Sequence, residues 1–128
     1  MGFASPSALE RHMVTTARRT RIRPGSESAY VQLHSRIPVA VWSALRECGF
    51  NEWTIGRDGS TLFHLIQTDG PLADALARID ERGTVDAFWD AAIDRLIDGS
   101  VESSVELEQV WRMTRDGQQS GRGGRVSP

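Results

Sequence analysis

Asp58-Gly59 stands between two strand-length stretches, residues 51–57 and 61–68. No other feature narrows the fold as much. An Asp-Gly pair reverses the chain because glycine accepts positive φ, so the flanking stretches read as an antiparallel hairpin. Upstream, MVTTARRTRIR (residues 13–23) holds several β-branched residues and stops at Pro24-Gly25, a strand followed by a turn. Between the two, residues 26–48 carry Leu33, Ile37, Val41, Ala44, Leu45 and Cys48 at helical spacing, with Ser26 as N-cap and Gly49 at the stop. Pro38 falls inside that pattern and predicts a kink or a split into two helices.

Downstream of the hairpin, residues 71–82 read as a helix with Pro71 in its first turn. Thr84 caps a further helix with the stripe Val85, Phe88, Trp89, Ala92, Ile93, Leu96 and Ile97, ended by Asp98-Gly99. Residues 105–113 alternate Val105, Leu107, Trp111 and Met113 against Glu106, Glu108 and Arg112, the pattern of a half-buried strand. The resulting order is strand, helix, strand, strand, helix pair, strand. That is an α+β chain, a ferredoxin-like βαββαβ unit with an antiparallel sheet. Helices cover one sheet face. The other is exposed unless a second copy covers it, so a homodimer is expected. The domain spans 13–113. Residues 1–12 read as a flexible leader, and the Gly/Arg-rich residues 114–128 as a disordered tail.

Composition removes several chemistries. The chain has 128 residues, enough for one domain, and its fifteen basic residues are all arginines. Without lysine, Schiff-base chemistry and a phosphate-loop lysine are excluded. Cys48 is the one cysteine, so no internal disulfide and no cysteine-rich metal site can form. His12, His34 and His64 are too scattered for a metal site. No apolar run approaches a membrane span and the N-terminus lacks a signal-peptide block, so no membrane partner is expected and the cytoplasm is the default compartment. Residues 1–46 carry seven arginines against two acids, and residues 47–113 five arginines against fourteen acids. With a net charge of −2 overall, this reads as a fold with an internal or interfacial arginine row, and no nucleic-acid partner is expected. Alternation puts Arg19, Arg21 and Arg23 on one face of the first strand and Arg18, Thr20 and Ile22 on the other. Arg19 and Arg21 are candidate contacts to an anionic or planar small-molecule substrate.

Tyr30 and His34 lie four residues apart on the long helix, on one face. An imidazole exchanges protons near neutrality, and a phenol beside it can orient a substrate hydroxyl. The same spacing also suits an ordinary helix surface. Trp53, Phe88 and Trp89 offer flat faces for the C–H face of a sugar or a planar ring, or ordinary core packing. Adjacent Phe88 and Trp89 cannot both face one core. His64, in TLFHLIQ, is either a satisfied core histidine or a second acid/base facing a pocket.

These residues resemble the L-rhamnose mutarotase family, small cofactor-free sugar epimerases, from about residue 17 to 113. The stretches carrying the resemblance are RPGSESAYVQLHSRIP, WTIGRDGSTLFHL, VDAFWDAA and ELEQVW, with Tyr30, His34, Pro38 and Trp42 echoing the family's spacing. The resemblance implies a dimeric α/β barrel. It implies that His34 is the proton donor and Tyr30 a sugar contact. Trp53 stands where the family has a second tyrosine, Phe88-Trp89 where it has a tryptophan pair, and His64 where a small residue is usual. The expected activity is mutarotation of a pyranose such as a 6-deoxy sugar, with no cofactor and no metal. The altered walls keep open a mutarotase-fold enzyme of specialised metabolism that cyclises, isomerises or dehydrates a non-sugar intermediate. A cofactor-independent monooxygenase and a non-catalytic binding module are further alternatives.

Overall fold

A computed structural model describes residues 13–121. The expected leader lies outside the described residues, as does the tail beyond 121. The chain runs β1 (Met13–Ile22), α1 (Glu27–His34), α2 (Val39–Glu47), β2 (Phe50–Asp58), β3 (Thr61–Asp69), α3 (Leu72–Arg82), α4 (Ala87–Leu96), β4 (Ile97–Leu107), β5 (Trp111–Thr114) and β6 (Gly117–Ser120). The first four-strand sheet has the order β2-β3-β1-β4, all neighbours antiparallel. This is the ferredoxin-like arrangement, α+β as expected.

The 26–48 stretch divides at Pro38. The α region is disfavoured for a residue preceding a proline, here Ile37, and the first helix has already closed at His34. Pro38 (φ −53°) then starts the second helix, where its missing N–H costs nothing. The hairpin turns at Gly59-Ser60, one residue later than the Asp-Gly reading. Gly59 takes φ +60°, and among the described residues no non-glycine has positive φ, the pattern of a type II′ turn. Ser60 Oγ donates to Glu27 Oε1 at 2.6 Å, tying this turn to the start of α1.

Three boundaries differ from the sequence reading. Asp86, not Thr84, caps α4, accepting from the Trp89 N–H at 2.9 Å. The last sheet strand begins at Ile97, directly after the helix, and ends at Leu107. Trp111–Thr114 pairs instead with Gly117–Ser120 in a separate hairpin, which takes in residues assigned to the tail. Among the described residues, no helix is long and apolar enough to cross a membrane.

Two apolar clusters hold the helices on one sheet face. Ile22, Tyr30 and Leu62 form one, packed by Ile55, Ile93 and Leu96. Cys48, Phe50, Ile66 and Ala75 form the other, packed by Leu45, Trp53, Leu72 and Ile79. Successive inward positions of β3 are Leu62, His64 and Ile66, all buried. The outer two belong one to each cluster. The polar middle one belongs to neither, and there the core parts.

Candidate active site

A cavity of about 640 Å³ opens where the two clusters separate. Its floor is Arg18 and Thr20 of β1 with His64 of β3, and Tyr30 and His34 of α1 line it from above. Trp42 and Leu45 of α2, Trp53 and Ile55 of β2, and Trp89 and Ile93 of α4 complete most of the wall. Such a mixture of aromatic walls and few polar groups is typical of small-molecule sites of this size.

One helical turn separates Tyr30 from His34, and their rings stack with centroids 4.0 Å apart at 26°. The edge of Trp89 closes on His34 from another side at 5.2 Å and 62°. His34 Nδ1 lies 3.3 Å from the Tyr30 carbonyl oxygen. A carbonyl only accepts, so Nδ1 carries the proton and Nε2 keeps its lone pair while the ring is neutral. Burial lowers the His34 pKa below its ordinary value, and the bond to the Tyr30 carbonyl opposes this. Neutral imidazole is therefore the resting form at pH 7. Burial pushes the Tyr30 phenol up to about 12, so it stays protonated.

His64 is held from both ends. Trp53 Nε1–H donates to its Nδ1 at 3.1 Å, and Thr20 Oγ1 lies 2.9 Å from its Nε2. Burial, then the positive charge of Arg18, then His34, lower its pKa to about 4. It is a neutral ring at any physiological pH. Arg18, beside it across the β1–β3 ladder, pairs with Glu102 at 2.5 Å. Arg46 stacks its guanidinium over Trp42 at 4.9 Å.

Of the candidates from sequence, Tyr30, His34, Trp53, His64 and Trp89 all line this one cavity. Three do not. Phe88 is 91% exposed, because neighbours on a helix point about 100° apart and Trp89 takes the inward direction. Arg19 and Arg21 project from the opposite sheet face. Arg19 borders a shallow depression with Phe63, Leu65 and Val105, and Arg21 is exposed. Arg18 and Thr20 are the β1 residues that reach the cavity, and neither is among the sequence candidates. The signal is present in the sequence: alternation groups them with Ile22, and the apolar member of a strand marks its buried face.

The fold recurs in solved structures. An L-rhamnose mutarotase from Formosa agariphila superposes with a TM-score of 0.51 at 23% identity, covering 78% of this chain and 98% of its own. A NIPSNAP-like domain protein from Burkholderia xenovorans gives 0.51 at 17% identity, over 76% of this chain and 84% of that one. A NIPSNAP family protein from Agrobacterium tumefaciens gives 0.51 at 23% identity, over 76% and 85%. At these identities the likeness speaks for the fold. No curated protein sequence matches the chain. The sequence profile of L-rhamnose mutarotase matches residues 15–115, which takes in all of the cavity's lining. On that match the chain belongs to the L-rhamnose mutarotase family.

Proposed function

We propose that this protein is a mutarotase that interconverts the anomers of a pyranose, a 6-deoxy sugar such as L-rhamnose, by proton transfer at His34. One observation carries the reading. The Tyr30 carbonyl holds His34 Nδ1–H and so leaves Nε2 with a free lone pair, on a stacked ring that lines the cavity. Nε2 takes the proton of the anomeric hydroxyl as the bond from C1 to the ring oxygen breaks. The electron pair of that bond goes to the ring oxygen, and the imidazolium returns the proton there as an acid. Rotation about C1–C2 presents the other face of the aldehyde, and the reverse sequence closes the second anomer. Tyr30, kept neutral, holds a sugar hydroxyl, while Trp53 and Trp89 stack on the C–H face. A group placed in this way accelerates proton transfer about 10²–10⁴-fold, enough for a reaction that already proceeds in water. Exchange spectroscopy on L-rhamnose checks this. Wild-type enzyme speeds anomer exchange and His34→Ala does not; equal rates in both end the assignment.

The apolar balance of the walls favours one second reading, the same His34/Tyr30 pair acting on a non-sugar carbonyl intermediate by isomerisation, cyclisation or dehydration. No anomer exchange on any sugar, with stabilisation by a planar carbonyl compound, selects it. We further propose that a second copy covers the open sheet face, where Phe63 and Leu65 (each 51% exposed) and Val105 (58%) form an apolar stripe. Light scattering on the purified protein distinguishes dimer from monomer, and Leu65→Glu shifts the mass to that of one chain.

A further inference from the structure

The bonds around His64 decide where a third proton points. An indole N–H can only donate, so the 3.1 Å contact from Trp53 requires a lone pair on His64 Nδ1. A proton on Nδ1, whether in the other neutral tautomer or in imidazolium, would set two N–H groups against each other. The ring's single proton must then sit on Nε2, directed at Thr20 Oγ1 2.9 Å away. That hydroxyl is forced to accept, and its own proton must leave in another direction. Thr20 is buried at 7% exposure and lines the cavity. Among the described residues its hydroxyl has no other side-chain partner. Glu102, its cross-strand neighbour, is engaged with Arg18.

We infer that Thr20 presents its hydroxyl proton into the cavity as a fixed hydrogen-bond donor to a substrate oxygen, aimed by a relay in which Trp53 sets the tautomer of His64. The inference rests on the mutarotase reading for the identity of that oxygen, the ring oxygen of the pyranose. The cavity then offers a base and a donor of opposite character. His34 Nε2 receives the proton from the anomeric hydroxyl, and Thr20 supports the negative charge that builds on the ring oxygen until that proton arrives. No proton leaves Thr20. Preoriented donors of this kind act because they need no reorganisation when charge develops. Thr20 is thus a catalytic residue, and His64 and Trp53 are positioning residues.

Side-chain nitrogen NMR of histidine-labelled protein tests the relay without any substrate. Wild type shows His64 protonated on Nε2 alone from pH 7 down to 5. In Trp53→Phe the Nδ1 site becomes protonatable and the His64 pKa rises. A wild-type ring protonated on Nδ1 overturns the proposal whatever the enzyme's activity. Kinetics then test the donor. Thr20→Val loses about a hundredfold in kcat, with a smaller change in KM, and Thr20→Ser restores most of the rate. Circular dichroism shows all variants folded. Unchanged kcat in Thr20→Val also overturns the proposal. If wild type exchanges no sugar anomers, the mutarotase reading fails. The donor assignment is then decided by the His64 tautomer and by whether Thr20→Val weakens binding of a planar carbonyl ligand that Thr20→Ser retains.

Discussion

Replacing His64 by glutamine removes one titration from the folding equilibrium, and the structure sets its size. The folded ring titrates at about 4, against 6.5 for the group in an unfolded chain. Between those values the unfolded state binds more protons than the folded one, so stability rises with pH and is lost as pH falls. From pH 7 to pH 5 the loss spans roughly 1.5 units at about 1.36 kcal/mol each, or about 2 kcal/mol. His34, also lowered by burial, adds to the same slope. The carboxylates with lowered values, Glu27 and Asp98, both accepting from serine hydroxyls, titrate below this window. A glutamine amide at this position can accept from the Trp53 indole through its oxygen and donate to Thr20 through its nitrogen, so His64→Gln keeps both bonds without titrating. Urea denaturation at half-unit steps between pH 7 and 5 gives the slopes. Wild type loses about 2 kcal/mol or more over the window, and His64→Gln loses about 2 kcal/mol less than wild type. Equal slopes in the two proteins refute the reasoning.

Three other outcomes follow from the same structure. Ile66, fully buried in the cluster under α2 and α3, costs about 2–5 kcal/mol of unfolding free energy when cut to alanine, measurable by denaturant titration. Phe88→Ala changes stability by less than about 0.5 kcal/mol and leaves anomer exchange intact, whereas Trp89→Ala, which removes the edge contact to His34, slows exchange. Because burial lowers the His34 pKa, the acid limb of log kcat/KM against pH has its midpoint below 6.5; a midpoint above that value contradicts a neutral resting base.

Much of the fold was legible because its punctuation is strong. Pro38 divides the first helical stretch and Gly59, with its positive φ, reverses the chain one residue later than the Asp-Gly pair suggests, each through local backbone sterics. The last sheet strand was hidden for the opposite reason. In Ile97–Leu107, an edge strand with most residues exposed, neither face is sorted into apolar and polar, and Asp98-Gly99 reads as a helix stop. Trp111 and Met113 extend an apparent alternation that belongs to another hairpin. Of the cavity's lining, Tyr30, His34, Trp53, His64 and Trp89 were legible because aromatic and titratable side chains are conspicuous. Thr20 was not, since a threonine in a β-branched strand looks like propensity alone. Its role depends on contacts to His64, 44 residues away, that no local pattern contains. The alternation separates Arg19 and Arg21 from Arg18, Thr20 and Ile22 correctly, and it is the second group, marked as inward by Ile22, that reaches the cavity.

The central claim is that His34 meets the sugar with its Nε2 lone pair inside this cavity. Adding L-rhamnose to histidine-labelled enzyme and following the side-chain nitrogens tests it most directly. The expected result is that the Nε2 resonance of His34 moves saturably with sugar while its Nδ1 remains protonated against the Tyr30 carbonyl. Accelerated anomer exchange with both His34 nitrogens undisturbed would contradict it.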